Sequence, residues 1–335
     1  MTDKPMMKTV IAERPGVHAG PAQLPRPVPR EGEVLVRIAA SGVNPLDIKI
    51  FEGAAAHARQ PLPAVLGLDL AGTVEALGPN VAGFREGDAV YGMTGGVGGH
   101  QGSLAEFAAA DARLLARKPA NLSMREAAAL PLIFITAWEG LVDRAALASG
   151  SVVLVHGGAG GVGHVAIQIA KARGAKVFAT GSEPSRAYIE GLGATFIDYR
   201  SESVEDYMAR HTAGSGFDVI YDTAGGATLD ASFQAVRRFG HVVSALGWGT
   251  HALAPLSFRA ATYSGVFTLL PLLTGEGREH HGDILREATK LVEAGKLTPR
   301  IDPHRFGLDE VGEAYRLMKE QRTRGKLVIE IGSAG

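Results

Sequence analysis

The chain reads as an α/β protein built around a doubly wound parallel sheet, and three observations carry that reading. Residues 152–163 run Val-Val-Leu-Val-His-Gly-Gly-Ala-Gly-Gly-Val-Gly, a buried-strand pattern that breaks at once into glycines. Gly158, Gly160 and Gly163 stand in G-x-G-x-x-G spacing, a helical pattern follows (Val165, Ala166, Ile169, Ala170), and a second apolar run begins at Lys176. Strand, glycine turn, helix and strand in that order are the context a dinucleotide fingerprint requires. Finally, residues 150–265 alternate strand and helix, with strands at 152–155, 176–180, 194–197, 219–221, 241–245 and 264–269. Six such strands with intervening helices predict the doubly wound sheet.

The glycine turn also predicts a ligand. Glycines let a backbone turn tightly and come close to a pyrophosphate, and the helix that follows offers unpaired N–H groups and the positive end of its dipole. The residues expected to make this contact are Gly158, Ala159, Gly160, Gly161, Val162 and Gly163. A purely structural βαβ turn is the competing reading.

A length of 335 residues suggests two domains. A 46% hydrophobic and 21% charged composition is that of an ordinary globular protein. A formal net charge of −1 gives no general basic field for nucleic acid or a membrane surface. No apolar stretch reaches the roughly 18–20 residues that span a bilayer, and the polar segment 1–8 lacks a signal-peptide core. A cytoplasmic location is therefore the expectation. With no cysteine there are no disulfides, no thiolate metal ligands and no cysteine nucleophile.

Residues 1–125 read as β-rich. Positions 33–39 alternate apolar and polar as a half-buried strand does, and turns crowd around Pro21, Pro25, Pro27 and Pro29, then 78–80 and 86–88. Strands are expected at 68–77 and 88–91. Ser123 with Glu126 three residues on is a capping box opening a helix over 124–130. Beyond Pro271 a polar stretch, 274–282, precedes a helix at 283–294, and 326–331 reads as a strand. The glycine-rich segment 95–102 has no helix after it and reads as a loop. His100 stands alone there, and His280-His281 reads as a solvated loop pair.

Several motifs together resemble the medium-chain dehydrogenase/reductase superfamily, specifically its zinc-independent quinone-oxidoreductase-like branch. They are Ser41-Gly42-Val43-Asn44-Pro45-Leu46-Asp47, Leu66-Gly67-Leu68-Asp69-Leu70-Ala71-Gly72, Gly87-Asp88-Ala89-Val90-Tyr91-Gly92, Gly102-Ser103-Leu104-Ala105-Glu106-Phe107, Thr136-Ala137-Trp138, residues 156–163, and Thr323-Arg324-Gly325-Lys326-Leu327-Val328. The resemblance implies a discontinuous, partly opened GroES-like β-barrel catalytic domain over 1–125 and 270–335. A Rossmann dinucleotide-binding domain over 126–269 would be inserted into it. Zinc-using relatives carry a cysteine where Asn44 stands and His-Glu where Leu68-Asp69 stands. One aspartate cannot replace three protein ligands, so no zinc is expected and Asp69 is read as capping or pairing inside the barrel.

The end of the second parallel strand sets the cofactor. An acid there would accept from a ribose 2′-hydroxyl and repel a 2′-phosphate, but the strand ends Thr180-Gly181-Ser182. Ser182 and Arg186 are the candidate 2′-phosphate contacts, which favours NADPH over NADH. Ser185 at the position usually held by lysine, and Glu183 beside it, work against this, and Arg186 as a solvated helix residue is the alternative. The resemblance further assigns Tyr199 to the adenosine phosphate, and Thr136, Ala245, Leu246, Gly247, Trp248, Gly265, Val266 and Phe267 to the nicotinamide half. Asn44 would border the nicotinamide, and Lys49 would stand where several quinone reductases have a tyrosine.

Without a metal or flavin motif, the implied chemistry is direct hydride transfer to a quinone or an α,β-unsaturated carbonyl, whose added electrons delocalise onto oxygen. Asn44 and Lys49 are the candidate catalytic donors to that oxygen, and Lys49 reads equally well as a surface lysine. A homodimer is expected through an exposed sixth-strand edge. Two other classes stay open: a non-enzymatic NADPH-binding sensor or structural protein of this fold, and an alcohol dehydrogenase.

Overall fold

The structure is a computed structural model that describes residues 5–17 and 20–332. Residues 1–4 of the polar N-terminal segment lie outside the described residues. The chain divides into two compact units. One comprises Met1–Leu132, Leu269–Gly295 and Pro299–Gly335, and the other Ile133–Thr268 with Lys296–Thr298. The sequence reading puts the joints at 125/126 and 269/270.

The first unit is mainly β. Strands β1 (Met6–Ala12), β2 (Gly20–Pro25) and β4 (Ala64–Val65) form a small antiparallel sheet in the order β2-β1-β4. A larger sheet takes β3 (Glu33–Gly42), β5 (Asp69–Leu77), β6 (Ala89–Met93), β7 (Phe107–Asp111) and β8 (Leu115–Arg117), with β15 (Phe306–Gly307) and β16 (Val328–Glu330) from much later in the chain. Its order is β15-β16-β3-β5-β6-β8, and β7 pairs with β3. The alternation expected at 33–39 has a plain outcome: Val34, Val36 and Ile38 point inward to pack with Leu70, Val74, Val90 and Leu115. Helices α1 (Pro45–Phe51), α2 (Met124–Ala128), α9 (Leu270–Thr274), α10 (Arg278–Glu293) and α11 (Val311–Lys319) belong to this unit. The Ser123 capping box forms: Ser123 Oγ accepts from the Glu126 amide at 3.2 Å, and the Glu126 carboxylate accepts from the Ser123 amide at 2.8 Å. Pro131 then opens helix α3 (Pro131–Trp138) at the residue where α2 can no longer continue.

The second unit is a six-stranded, wholly parallel sheet. Its strands are β9 (Val152–His156), β10 (Lys176–Gly181), β11 (Thr195–Asp198), β12 (Phe217–Asp222), β13 (Val236–Ser244) and β14 (Thr262–Gly265), in the order β11-β10-β9-β12-β13-β14. Counted along the chain this is 3-2-1-4-5-6, the doubly wound order. Helices α4 (Gly161–Ala172), α5 (Arg186–Gly191), α6 (Val204–Thr212), α7 (Ala227–Ala235) and α8 (Ala254–Ser257) cross between strands. Leu154, Phe178, Ile197, Phe217, Ile220, Phe233 and Val242 build the core.

Four expectations need correction. The sixth strand is not 264–269. It covers Thr262–Gly265, and the Val266 amide makes one last bond to Ser244 O before the chain turns toward α9 and Pro271. The fifth strand starts at Val236, not at 241. A register shift against β12 between Phe217 and Val219 and a left-handed Phe239 (φ 60°) let its first residues pair irregularly, so they lack a strand pattern. The stretch 278–282, read as a loop, is the first part of α10. Its N-cap is a left-handed Gly277 with no side-chain cap, so no capping signal marks the start. His280 and His281 are therefore helical, and His281 is fully buried rather than solvated.

Candidate functional site

The glycine turn lies at the carboxyl end of β9, beside the point where strand order reverses between β9 and β12. In open α/β sheets ligands bind in the crevice outside those strand ends. Each glycine there has its own geometry. Gly157 takes the turn itself, at φ 71°. A Cβ on Gly158 would sit 2.7 Å from Ala179 Cβ, and one on Gly163 only 2.1 Å from Gly157 O. These two glycines let α4 and the sheet approach each other. Gly160 differs: a Cβ there would meet only Gly157 O, at 3.1 Å. Gly160 and Gly161 are exposed at the N-terminus of the 12-residue α4. Internal packing presses on position 160 far less than on 158 or 163, through this one tight contact, and the uncovered backbone beside the helix dipole suits a diphosphate.

A cavity of about 470 Å³ opens next to this turn. It is lined by His156, Gly157, Thr180, Gly181, Tyr199 and Glu202, with Ala224, Ala227 and Thr228 on the β12 side. Sequence reasoning named only Tyr199 among these side chains, and its ring is exposed. His156 is buried. Its Nδ1 lies 3.1 Å from Thr180 Oγ1, which also accepts from the Gly157 amide at 3.2 Å. Burial pushes the imidazole down to about 4, with Asp222 pulling the other way, so the ring is neutral around pH 7. Asp222 is spent within the fold, accepting from the Ala224 and Gly225 amides and from Ser244 Oγ.

Of the two residues expected at a 2′-phosphate, Arg186 has its guanidinium engaged and Ser182 its backbone carbonyl. Arg186 donates to both carboxylate oxygens of Glu183, each at 2.8 Å, and its guanidinium lies 4.3 Å above the Phe196 ring. Ser182 accepts through its carbonyl from Ser185 Oγ at 2.7 Å. On the other flank, Thr136 Oγ1 is 3.1 Å from Thr268 Oγ1, and its carbonyl accepts from Tyr221 Oη at 2.6 Å. The Ala245 amide bonds to Asp222 O, and the Leu246 amide to Ser244 Oγ. A Cβ on Gly247 would stand 2.0 Å from Tyr263 Oη, so any larger residue there must displace the end of that partly exposed side chain. Trp248 packs edge-on against Phe267 at 6.4 Å. Gly265 ends β14, and Val266 and Phe267 lie past the strand.

The first unit holds a second constellation, which sequence reasoning largely missed. Asn44, Asp47, Asp69 and Lys326 are all buried, none more than 5% exposed. Lys326 Nζ donates to Val43 O at 2.8 Å and to Asn44 Oδ1. Asn44 Nδ2 donates to Asp69 Oδ2 at 2.9 Å, and Asp69 Oδ1 accepts from the Leu132 amide in the first turn of α3. The expectation that Asp69 caps or pairs inside this unit is what the geometry shows. Asp47 Oδ2 accepts from the Asn44 amide at 2.7 Å. Burial raises Asp47 to about 7 and Asp69 to about 6, the latter held back by Lys326, while burial lowers Lys326. Lys49 lies apart from this group, exposed on α1. Of the two candidate donors, only Lys49 presents its polar end to solvent.

These donors do not fit zinc. The position that would supply the first ligand is an amide already held by an ammonium, and Leu68 precedes the lone Asp69. Among the described residues, no group of three His, Cys, Asp or Glu is arranged to hold a metal ion.

Fold and turn together define a nucleotide-binding α/β chain joined to a GroES-like β unit. Residues 30–120 match the alcohol dehydrogenase GroES-like domain, and residues 192–329 match the zinc-binding dehydrogenase family. Tomato (Solanum lycopersicum) 2-methylene-furan-3-one reductase is 38% identical over 308 residues, covering 90% of this chain and 72% of that protein. The chloroplastic NADPH-dependent alkenal/one oxidoreductase of Arabidopsis thaliana is 35% identical over the same shares. An alcohol dehydrogenase superfamily protein from Novosphingobium aromaticivorans superposes with a TM-score of 0.96 at 60% identity, over 97% of this chain and all of that one. The Coxiella burnetii quinone oxidoreductase superposes with a TM-score of 0.82 at 29% identity, over 98% of this chain and all of that one. The chain belongs to the medium-chain dehydrogenase/reductase superfamily, among quinone- and enone-oxidoreductase-like relatives.

Proposed function

We propose that this chain is an NADPH-dependent, metal-independent oxidoreductase that passes hydride to a quinone or an α,β-unsaturated carbonyl. The observation that carries the reading is the uncovered turn at Gly160 and Gly161, exposed backbone at the N-terminus of α4. The names borne by the tomato, Arabidopsis and Coxiella relatives support the substrate class. When bound, the nicotinamide supplies the hydride, and the chain's task is to hold, orient and keep dry.

In this reading the amides at the start of α4 carry the pyrophosphate, and Tyr199 borders the adenosine. Ser182 and Arg186 meet the 2′-phosphate, Arg186 exchanging Glu183 for the stronger anion. Thr136, residues 245–248 and residues 265–267 border the nicotinamide half. Lys49 offers a cation to the oxygen on which substrate charge develops, and Asn44 frames the same end. We further propose a cytoplasmic homodimer that uses the β14 edge. Its Tyr263 is partly exposed, and no helix among the described residues is long and apolar enough to cross a membrane.

The test is a turnover panel with the purified chain. NADPH consumption is expected with naphthoquinone, alkenals or cyclic enones, unchanged after dialysis against a strong chelator. Faster oxidation of ethanol or benzyl alcohol than reduction of any acceptor in the panel would reject the reading, as would activity that returns only with zinc.

A further inference from the structure

The Asn44–Asp69–Lys326 constellation does more than fill space. An amide between an ammonium and a carboxylate has one acceptable orientation. Lys326 Nζ has only hydrogens to offer and takes Asn44 Oδ1, while Asp69 Oδ2 takes Asn44 Nδ2. Flipping the amide would set NH₂ against ammonium and C=O against carboxylate, two repulsive contacts in a water-free interior. Three further bonds tie the group to backbone: Lys326 to Val43 O, the Asn44 amide to Asp47, and the Leu132 amide to Asp69. The Asn44 amide therefore joins the segments of Asp69 and Lys326 directly, and that of Leu132 through Asp69, at the turn that launches α1 and its exposed Lys49.

The donor count also separates the two carboxylates. Both oxygens of Asp69 receive N–H groups, which suits an anion. Asp47 Oδ1 receives none, and Tyr315 Oη, also buried and unpartnered, lies in the surroundings whose field Asp47 shapes. One ammonium against two enclosed carboxylates is electrically balanced when Asp69 is ionised and Asp47 carries a proton. Lys326 is thus the single counter-charge of the group.

We infer that Lys326 is a positioning residue: with Asp69, it sets the direction of the Asn44 amide and the placement of the 43–47 turn on which hydride transfer depends. The dependence on hydride transfer rests on the function proposed above, whereas the orientation of the amide does not.

The experiment uses the full chain with ¹⁵N-asparagine labelling. Asn44→Asp identifies the Asn44 side-chain signal, and Lys326→Met, Lys326→Arg and Asp69→Asn are compared with wild type. In wild type the Asn44 NH₂ pair should be shifted from the solvent-exposed asparagines and slow to exchange. Lys326→Met should return it toward them and lower kcat with an enone at least tenfold, roughly, while NADPH Kd changes less than about twofold. Lys326→Arg, which keeps the charge, should restore part of both effects. An unaltered Asn44 signal in Lys326→Met, or an unchanged kcat per folded molecule, overturns the inference. Should Lys326→Met fail to fold, Lys326→Arg and Asp69→Asn decide it by the same signals. A wild type that turns over no quinone or enone rejects the proposed function, and the amide signal still decides the positioning.

Discussion

The turn before α4 and the cluster around Lys326 solve opposite problems. At the turn the chain places no charge: Gly160 and Gly161 are exposed, and in the proposed function recognition falls to backbone at the start of α4 and to a helix dipole. Around Lys326 the chain encloses an ammonium, two carboxylates and an amide, each held by named hydrogen-bond partners. A site meant to receive a multiply charged ligand gains from staying open and uncommitted, because every internal partner must be displaced on binding. A site meant to hold its own geometry gains from the reverse, since breaking one buried charge pair leaves another unpaired. Arg186 falls between the two, a ligand-binding candidate already satisfied by Glu183.

The sharpest way to break this contrast lies within the turn. Gly163→Val pushes a side chain into Gly157 O and should cost about 3 kcal/mol or more, seen as a collapse of the thermal transition. Gly160→Val should leave that transition in place yet weaken NADPH about 100-fold, roughly 2.8 kcal/mol, by calorimetry. Equal effects of the two on stability would mean that Gly160 is a packing residue too.

Next in size is the pH response of the enclosed cluster. Asp47 lies near 7 in the folded chain, against roughly 3.9 when unfolded. Its contribution is therefore intact below about pH 4 and is lost as pH rises toward 7, at up to ~1.4 kcal/mol per pH unit. Asp69 shifts the same way and remains in the variant. Asp47→Asn should thus gain on wild type between pH 5 and pH 7.5 in urea midpoints, and a constant difference would show that Asp47 is already ionised at the lower pH. The smallest effect is expected at Arg186. Because its guanidinium already has partners, Arg186→Ala should weaken NADPH only roughly 10-fold and leave NADH alone. Equal losses for both cofactors would remove it from the 2′-phosphate site.

How much of this was legible depended on range. The β9 turn is local: strand, glycines and helix are contiguous in the chain. The capping box at Ser123 and the alternation of β3 are legible for the same reason. The strand limits of β13 were not, because a register shift and a left-handed Phe239 leave no pattern in Arg237-Arg238-Phe239. His281 reads as polar and exposed until the amphipathic face of α10 places it inward. Lys326 carries no local sign at all. It follows a Gly and precedes a short apolar strand, as many surface lysines do, and its partner Asn44 is 282 residues away. The one hint was Asp69, an acid inside the otherwise apolar run 66–72, which had to be paired somewhere.

That distance bears on how the protein is made. All six strands of the parallel sheet lie between residues 152 and 265, so a ribosome delivers that unit's framework in one unbroken passage. The β unit cannot finish so early. Asp47 and Asp69 leave the exit tunnel well before Lys326, the counter-ion they share, which arrives only after some 250 more residues have been added, together with the β16 strand that pairs with β3. Throughout that interval a nascent chain must keep two acidic side chains wet that the finished protein keeps dry. The strands around those acids are bound to wait, half-assembled, for a single lysine.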